Sequence, residues 1–256
     1  MIISHKYRYL FVEVPHTGSH SIASELIDFY AGERILRKHA NLTQFMAQAT
    51  PDERKYFIFG TVRNPLDAAL TDYYKLESNH REQFTNPAML MSNGGHVTAQ
   101  HLKEFELVHR QGASFPEFLK AFRKKVYHNW FLVGASRFDY VLRFENLSTD
   151  YARLIQLLGI ELVRDLPHVN PTKKKARDFQ AAYPPEMHAF VARYYGPFMR
   201  RWGYEFPESW GKVHVPWSSR LRFAVVEALV GAAARFMKLD PDNPRINRLK
   251  RLVDAV

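Results

Sequence analysis

Apolar and polar positions along the chain fall into two recurring patterns. Short unbroken apolar runs, YLFVEV at 9–14 and YFIFGTV at 56–62, have the length of buried strands and are too short for helices. DYVLRF at 139–144 is a third run of this kind, and RILRKH at 34–39 reads as a further short strand. The stretches between them follow helical periodicity. Ser21–Tyr30 puts Ile22, Leu26, Phe29 and Tyr30 on one face, with Gly32 as a stop. After the second strand, Asn64 suits a cap, Pro65 the first helical position and Asp67 the positive end of the helix dipole. Further helices are expected over 41–49, 98–110, 148–159 and 185–202, and another from Ser114, where Ser114 and Glu117 have capping-box spacing. The polar region 78–100, containing SNGGH, reads as a long loop, a length that often serves function. Strands alternating with helices predict an α/β fold: a central mostly parallel sheet flanked by helices in three layers.

Composition narrows this. With 256 residues, 46% hydrophobic and 14% aromatic, the chain has material for one large domain or a domain plus an appendage. No cysteine is present, which excludes disulfides and thiolate metal sites and suits a reducing cytosol. MIISHKYRYLF has no long apolar run, so no signal peptide is expected, and no window reaches the roughly 18–20 apolar residues of a membrane span. A soluble, cytoplasmic protein is the expectation. The net charge of +10 favours anionic partners: phosphorylated cofactors, acidic glycans, nucleic acid or anionic lipid. No nucleic-acid-binding signature appears, so nucleic acid is not expected as substrate. The segment 218–239, SSRLRFAVVEALVGAAARFMKL, is an apolar helix flanked by arginines and lysine and interrupted by Glu227. It reads either as a helix packed on its own domain or in a homodimer interface, or as one lying on a membrane surface.

In open α/β sheets ligands gather beyond the carboxyl ends of the strands. PHTGSHS follows the first strand and opens a helix. Backbone N–H groups there, with the hydroxyls of Thr17, Ser19 and Ser21, suit a phosphate-like anion, and Gly18 permits close approach. The Walker pattern GxxxxGK(S/T) is not met: the loop has one glycine and no following lysine, and offers His16 and His20 instead. Arg63 ends the second strand and Thr71 lies eight residues on, a guanidinium and a hydroxyl suited to a second phosphate. Two anion sites suggest a ligand with phosphates at both ends. The twelve histidines form no convincing ligand pair with a carboxylate, and no metal is expected.

YLFVEVPHTGSHSI resembles the 5′-phosphosulfate loop of sulfotransferases that use 3′-phosphoadenosine 5′-phosphosulfate (PAPS), where Pro-Lys-Thr-Gly-(Gly/Ser)-Thr-Ser is common. FGTVRNPLDAALTDYYK is similar to the family's 3′-phosphate motif, VLRFENL at 141–147 to its Arg-Phe-Glu-Asp/Asn-Leu segment, and LPHVNPT and YYGPFMRRWGYEFP to its C-terminal pattern in glycan sulfotransferases. The matches run in family order over about residues 7–207. They imply a P-loop-like domain over 1–210, followed by a helical extension over 211–256 that packs on the domain, a partner or a membrane surface. They imply PAPS as co-substrate and PAP as product, with a glycan or other hydroxyl-bearing acceptor. Thr17, Gly18, Ser19, His20 and Ser21 would wrap the 5′-phosphosulfate, and Arg63 and Thr71 would take the 3′-phosphate. His16 stands where the family has its lysine; an imidazolium can also donate to the leaving oxygen, with shorter reach and a pH-dependent charge. RKHA resembles the family's histidine segment, which makes His39 the first candidate for the catalytic base. His5, Glu13, His80, His96, His101 and His168 are the other candidates. Lys173, Lys174 and Lys175 are candidates for the 3′-phosphate or an acidic acceptor. Two other readings stay open: a degenerate member that binds PAP, a nucleotide or an anionic glycan without turnover, which the histidine at 16 motivates, and a P-loop-type kinase, which the missing lysine disfavours.

Overall fold

The computed structural model describes residues 1–132, 134–167 and 182–236. By their contacts the described residues form two units that alternate along the sequence, one from 1–64, 128–132, 134–167 and 221–236, the other from 65–127 and 182–220. The helices are α1 (Ser19–Phe29), α2 (Leu42–Met46), α3 (Pro65–Glu77), α4 (Ala99–Phe105), α5 (Phe115–Phe122), α6 (Leu147–Leu157), α7 (His188–Tyr194), α8 (Gly196–Arg201) and α9 (Trp217–Phe236).

The first unit holds a five-stranded sheet of β1 (Ile2–Ser4), β2 (Tyr9–Val12), β3 (Glu33–Arg34), β4 (Phe57–Val62) and β5 (Tyr140–Arg143), in the order β3-β1-β2-β4-β5. β2, β4 and β5 pair in parallel; β1 runs antiparallel to both β2 and β3, and is thus the one reversed strand of the five. The mostly parallel α/β sheet expected from the sequence is present. Its strands alternate between two buried faces. Tyr9, Phe11 and Phe59 join Ile22 and Leu26 of α1 and Leu154 and Ile155 of α6 in one core. Leu10, Val12 and Ile58 join Leu42 and Phe45 of α2 in the other. α2 is held by a capping box, the Asn41 side chain accepting from the Gln44 N–H and the Gln44 side chain from that of Asn41.

Two expectations need correction. β1 is absent from the sequence reading, because three residues give too little alternation to register as a strand. The strand expected at 34–39 is confined to Glu33–Arg34; the chain then turns, with Leu36 and His39 at positive φ of 55° and 63°, which no continuous strand accommodates.

The second unit is helical. Tyr73 of α3 meets Phe115 and Phe118 of α5 at ring-centroid distances of 5.4 and 5.9 Å, and Phe115 stands edge-on to Tyr183. The buried Glu104 carboxylate accepts both arms of the Arg123 guanidinium at 2.7 and 3.1 Å. The Ser114 cap behaves as expected, its N–H donating to the Glu117 carboxylate at 2.7 Å. The loop at 78–100 is built from short 3₁₀ turns and closed by a bridge between Leu90 and Val97.

In the first unit the His128 imidazole lies between Trp130 and Phe223, with Nδ1 buried and without a hydrogen-bond partner. Burial lowers its pKa to about 4 from 6.5. Below its ordinary pKa the unfolded chain therefore binds a proton that the folded chain refuses until about pH 4. Urea titrations should show stability falling as pH drops across that window, and His128→Leu should flatten the decline.

Candidate active site

The site begins where β2 ends. Glu13 is fully buried and takes an ion pair from the Met1 amino group and another from Arg34 at 3.0 Å. Burial pushes its carboxyl up, but the Met1 amine and the Arg34 guanidinium outweigh that and hold it below the ordinary range. Glu13 is thus a structural anion whose oxygens are already engaged.

The following loop turns through two left-handed residues, His16 at φ 62° and Gly18 at φ 74°. Gly18 is the N-cap of α1 and has no side chain to close the first turn; the Ser21 N–H donates to the Gly18 carbonyl at 3.2 Å, and the amides before it are those a helix N-terminus offers to an anion. A Cβ at Gly18 would lie 2.6 Å from Leu147 Cδ2 and 3.4 Å from the Phe144 ring, so glycine is required on both conformational and steric grounds. Thr17 is buried; its hydroxyl donates to the Val14 carbonyl at 2.7 Å and pairs with that of Thr61 on β4. Ser19 and Ser21 are buried in the first turn of α1, whereas His16 and His20 are exposed.

Arg63, a residue 8% exposed, leaves the end of β4 with its guanidinium 4.3 Å from the centre of the Phe144 ring. Its Nη1 donates to the His16 carbonyl at 2.9 Å, so the arginine grips the loop at its left-handed turn. The backbone after it is fixed too, because the Asn64 N–H donates to the Glu145 carboxylate at 2.7 Å. Phe144, Glu145 and Leu147 therefore support the loop and Arg63 together. Sequence reasoning assigned none of them a role, nor Thr61. The signal was the resemblance of VLRFENL, directly after the third strand, to the family's Arg-Phe-Glu-Asp/Asn-Leu segment.

His39 reaches the same strand ends. Its Nδ1 lies 2.9 Å from the Glu13 carbonyl oxygen. A carbonyl can only accept, so Nδ1 carries the hydrogen and Nε2 keeps its lone pair. Burial of the half-buried ring lowers its pKa below 6.5, against the smaller opposing pull of that carbonyl. The imidazole is therefore neutral at pH 7 and available as a proton acceptor.

The other candidate bases divide between the two units. His5 follows β1 and contacts the Tyr56 hydroxyl at 3.0 Å, at the opposite ends of β2 and β4 from the loop. His80, His96 and His101 belong to the second unit; His96 contacts the Gln83 side chain, and His101 Nδ1 accepts from the Thr98 N–H as part of the α4 cap. Thr71 also lies there, its hydroxyl donating to the Asp67 carbonyl one turn back on α3 at 2.9 Å. His168, Lys173, Lys174 and Lys175 lie outside the described residues. Among the described residues no cluster of three or more His, Asp or Glu could hold a metal ion, and no helix is long and apolar enough to cross a membrane.

A family model described as "Sulfotransferase family" matches residues 1–205. The chain belongs to the sulfotransferase family. No curated protein and no solved structure is significantly similar to it. Membership makes sulfonyl transfer the class of chemistry for this chain. The matched span includes the 14–21 loop, His39, Arg63 and the Phe144–Leu147 support, and it stops before α9.

Replacing Gly18 with Ala should lower stability by more than about 1 kcal/mol, since Ala is strained at positive φ, and displace the loop against Leu147. Adding Leu147→Ala should recover only the steric part in chemical denaturation, leaving the backbone penalty.

Proposed function

We propose that this sulfotransferase-family chain moves the sulfonyl group of PAPS to a hydroxyl of a carbohydrate or glycan acceptor. The observation that carries the reading is the convergence of the 14–21 loop, Arg63 and His39, through the His16 and Glu13 carbonyls, at the carboxyl ends of β2 and β4. An anionic donor suits this arrangement: α1 starts at a left-handed Gly18 with no capping side chain, and a guanidinium grips the loop beside it.

PAPS supplies the sulfonyl group and a phosphate leaving group. Thr17, Gly18, Ser19, His20 and Ser21 would wrap the 5′-phosphosulfate, and Arg63 would take the 3′-phosphate. Thr71 and Lys174 join the 3′-phosphate on the family resemblance alone. His39 Nε2 would take the proton from the acceptor hydroxyl. His16, exposed at the loop tip, would donate as imidazolium to the leaving oxygen in place of the family lysine. The absence of cysteine suits action in a reducing cytosol. The histidine at 16 also supports a second reading, binding without turnover; PAP binding with no activity on any acceptor at any pH would favour it.

PAP or PAPS at high micromolar concentration should raise the melting temperature, and if neither does, the proposal fails at its first step. Arg63→Ala should weaken PAP binding by about 10- to 100-fold, the range for a hydrogen bond to a charged group. Arg63→Lys should restore little, because an ammonium cannot combine the stack on Phe144 with the fork. His39→Ala should leave PAP affinity unchanged and cut kcat by about 10²- to 10⁴-fold. In the parent protein kcat/KM should fall on the acid side with a pKa below 6.5, where His39 takes up a proton and ceases to be a base.

A further inference from the structure

Helix α9 is apolar on two opposite faces, and one of them is uncovered. Phe223, Val226, Val230 and Ala233 are buried, at the 3–4 residue spacing of a packed helical face. The opposite side presents Trp217, Leu221, Ala224, Val225, Ala228 and Ala232, all exposed, with Trp217 68% and Leu221 55% accessible. A helix lying on a water-facing surface puts its charges opposite the core. Here, at 3.6 residues per turn, Arg220 and Glu227 fall on one flank between the two apolar faces and Arg222 on the other, while Arg235 comes at the C-terminal end, in line with Trp217.

We infer that α9 seats this outer face on an anionic lipid bilayer, in the plane of the surface. Charge decides between a membrane and a second copy of the chain. Residues 217–236 contain three arginines and one glutamate on a chain of net charge +10, so a second copy would bring net positive charge against net positive charge. A surface of lipid phosphates instead complements the arginines, Arg220 on one flank and Arg222 on the other. The aliphatic stems of Arg220 and Arg222 can lie along the apolar face while their guanidiniums reach the headgroups, and the Trp217 indole suits the same boundary. The helix is not long and apolar enough to span. The chain's +10 charge adds long-range attraction to such a surface.

The test is sedimentation of the full chain with vesicles of phosphatidylcholine alone and of phosphatidylcholine mixed with phosphatidylglycerol. The protein should pellet with the anionic vesicles, less so as salt rises, and stay in solution with the neutral ones. Arg220→Glu and Arg222→Glu should each lower partitioning about fivefold or more at low salt. The double variant Leu221→Asp, Val225→Asp should abolish vesicle binding while leaving the melting temperature unchanged, since both positions are exposed. Equal partitioning on the two vesicle types, or binding indifferent to the aspartates, overturns the inference. So does a dimer in size-exclusion chromatography that the aspartate variant dissociates, which would make the face a self-association surface.

Discussion

The hydrogen bond from the Arg63 guanidinium to the His16 carbonyl is the contact on which the candidate site rests. A non-glycine residue at φ 62° carries backbone strain of about 1–3 kcal/mol. A hydrogen bond from a charged donor contributes about 1.5–3 kcal/mol. Arg63 is buried, 8% exposed as a residue, so the bond is little screened by water and the two quantities, of one order, can offset each other. The loop therefore holds its turn because an arginine from the neighbouring strand holds it, and β2 and β4 are coupled beyond their ladder of backbone bonds.

The same region repeats a second device. Three carboxylates at the ends of β5 accept backbone N–H groups at 2.7 Å: Asp139 from Ile58, Asp150 from Arg143 and Glu145 from Asn64. β5 has a strand partner on one side only. Carboxylates substitute there for the carbonyls that a further strand or turn would supply, and satisfy amides that burial would leave costly. The outcome is a rigid exit from β4, and with it a defined origin for the Arg63 side chain.

How much of this was legible follows the range of the interactions. The strands at 9–14, 56–62 and 139–144 and the helix from Pro65 are local features, written in apolar runs and capping residues, and they occur close to where the sequence puts them. The phosphate-type loop and Arg63 were legible for the same reason: each follows a recognisable strand. The reversed strand β1 was not, since three residues carry no period and only pairing with β2 and β3 makes them a strand. The support from Phe144, Glu145 and Leu147 was invisible because it joins residues some 80 to 130 positions apart in the chain. His39 was chosen by resemblance as the end of a strand; its actual placement comes from a left-handed turn and a bond to a carbonyl 26 residues earlier.

That bond also sets the fate of any proton His39 acquires. The Glu13 carbonyl fixes the ring but has no proton to give and cannot carry one away, unlike the carboxylate or hydroxyl that backs a relay. The imidazole is consequently a dead end on its inner side. A proton taken up at Nε2 must depart through Nε2, into the space from which it came. Were His39 the base proposed above, its recovery would be tied to the reopening of that space to water or buffer, and clearing the site and resetting His39 would become one event.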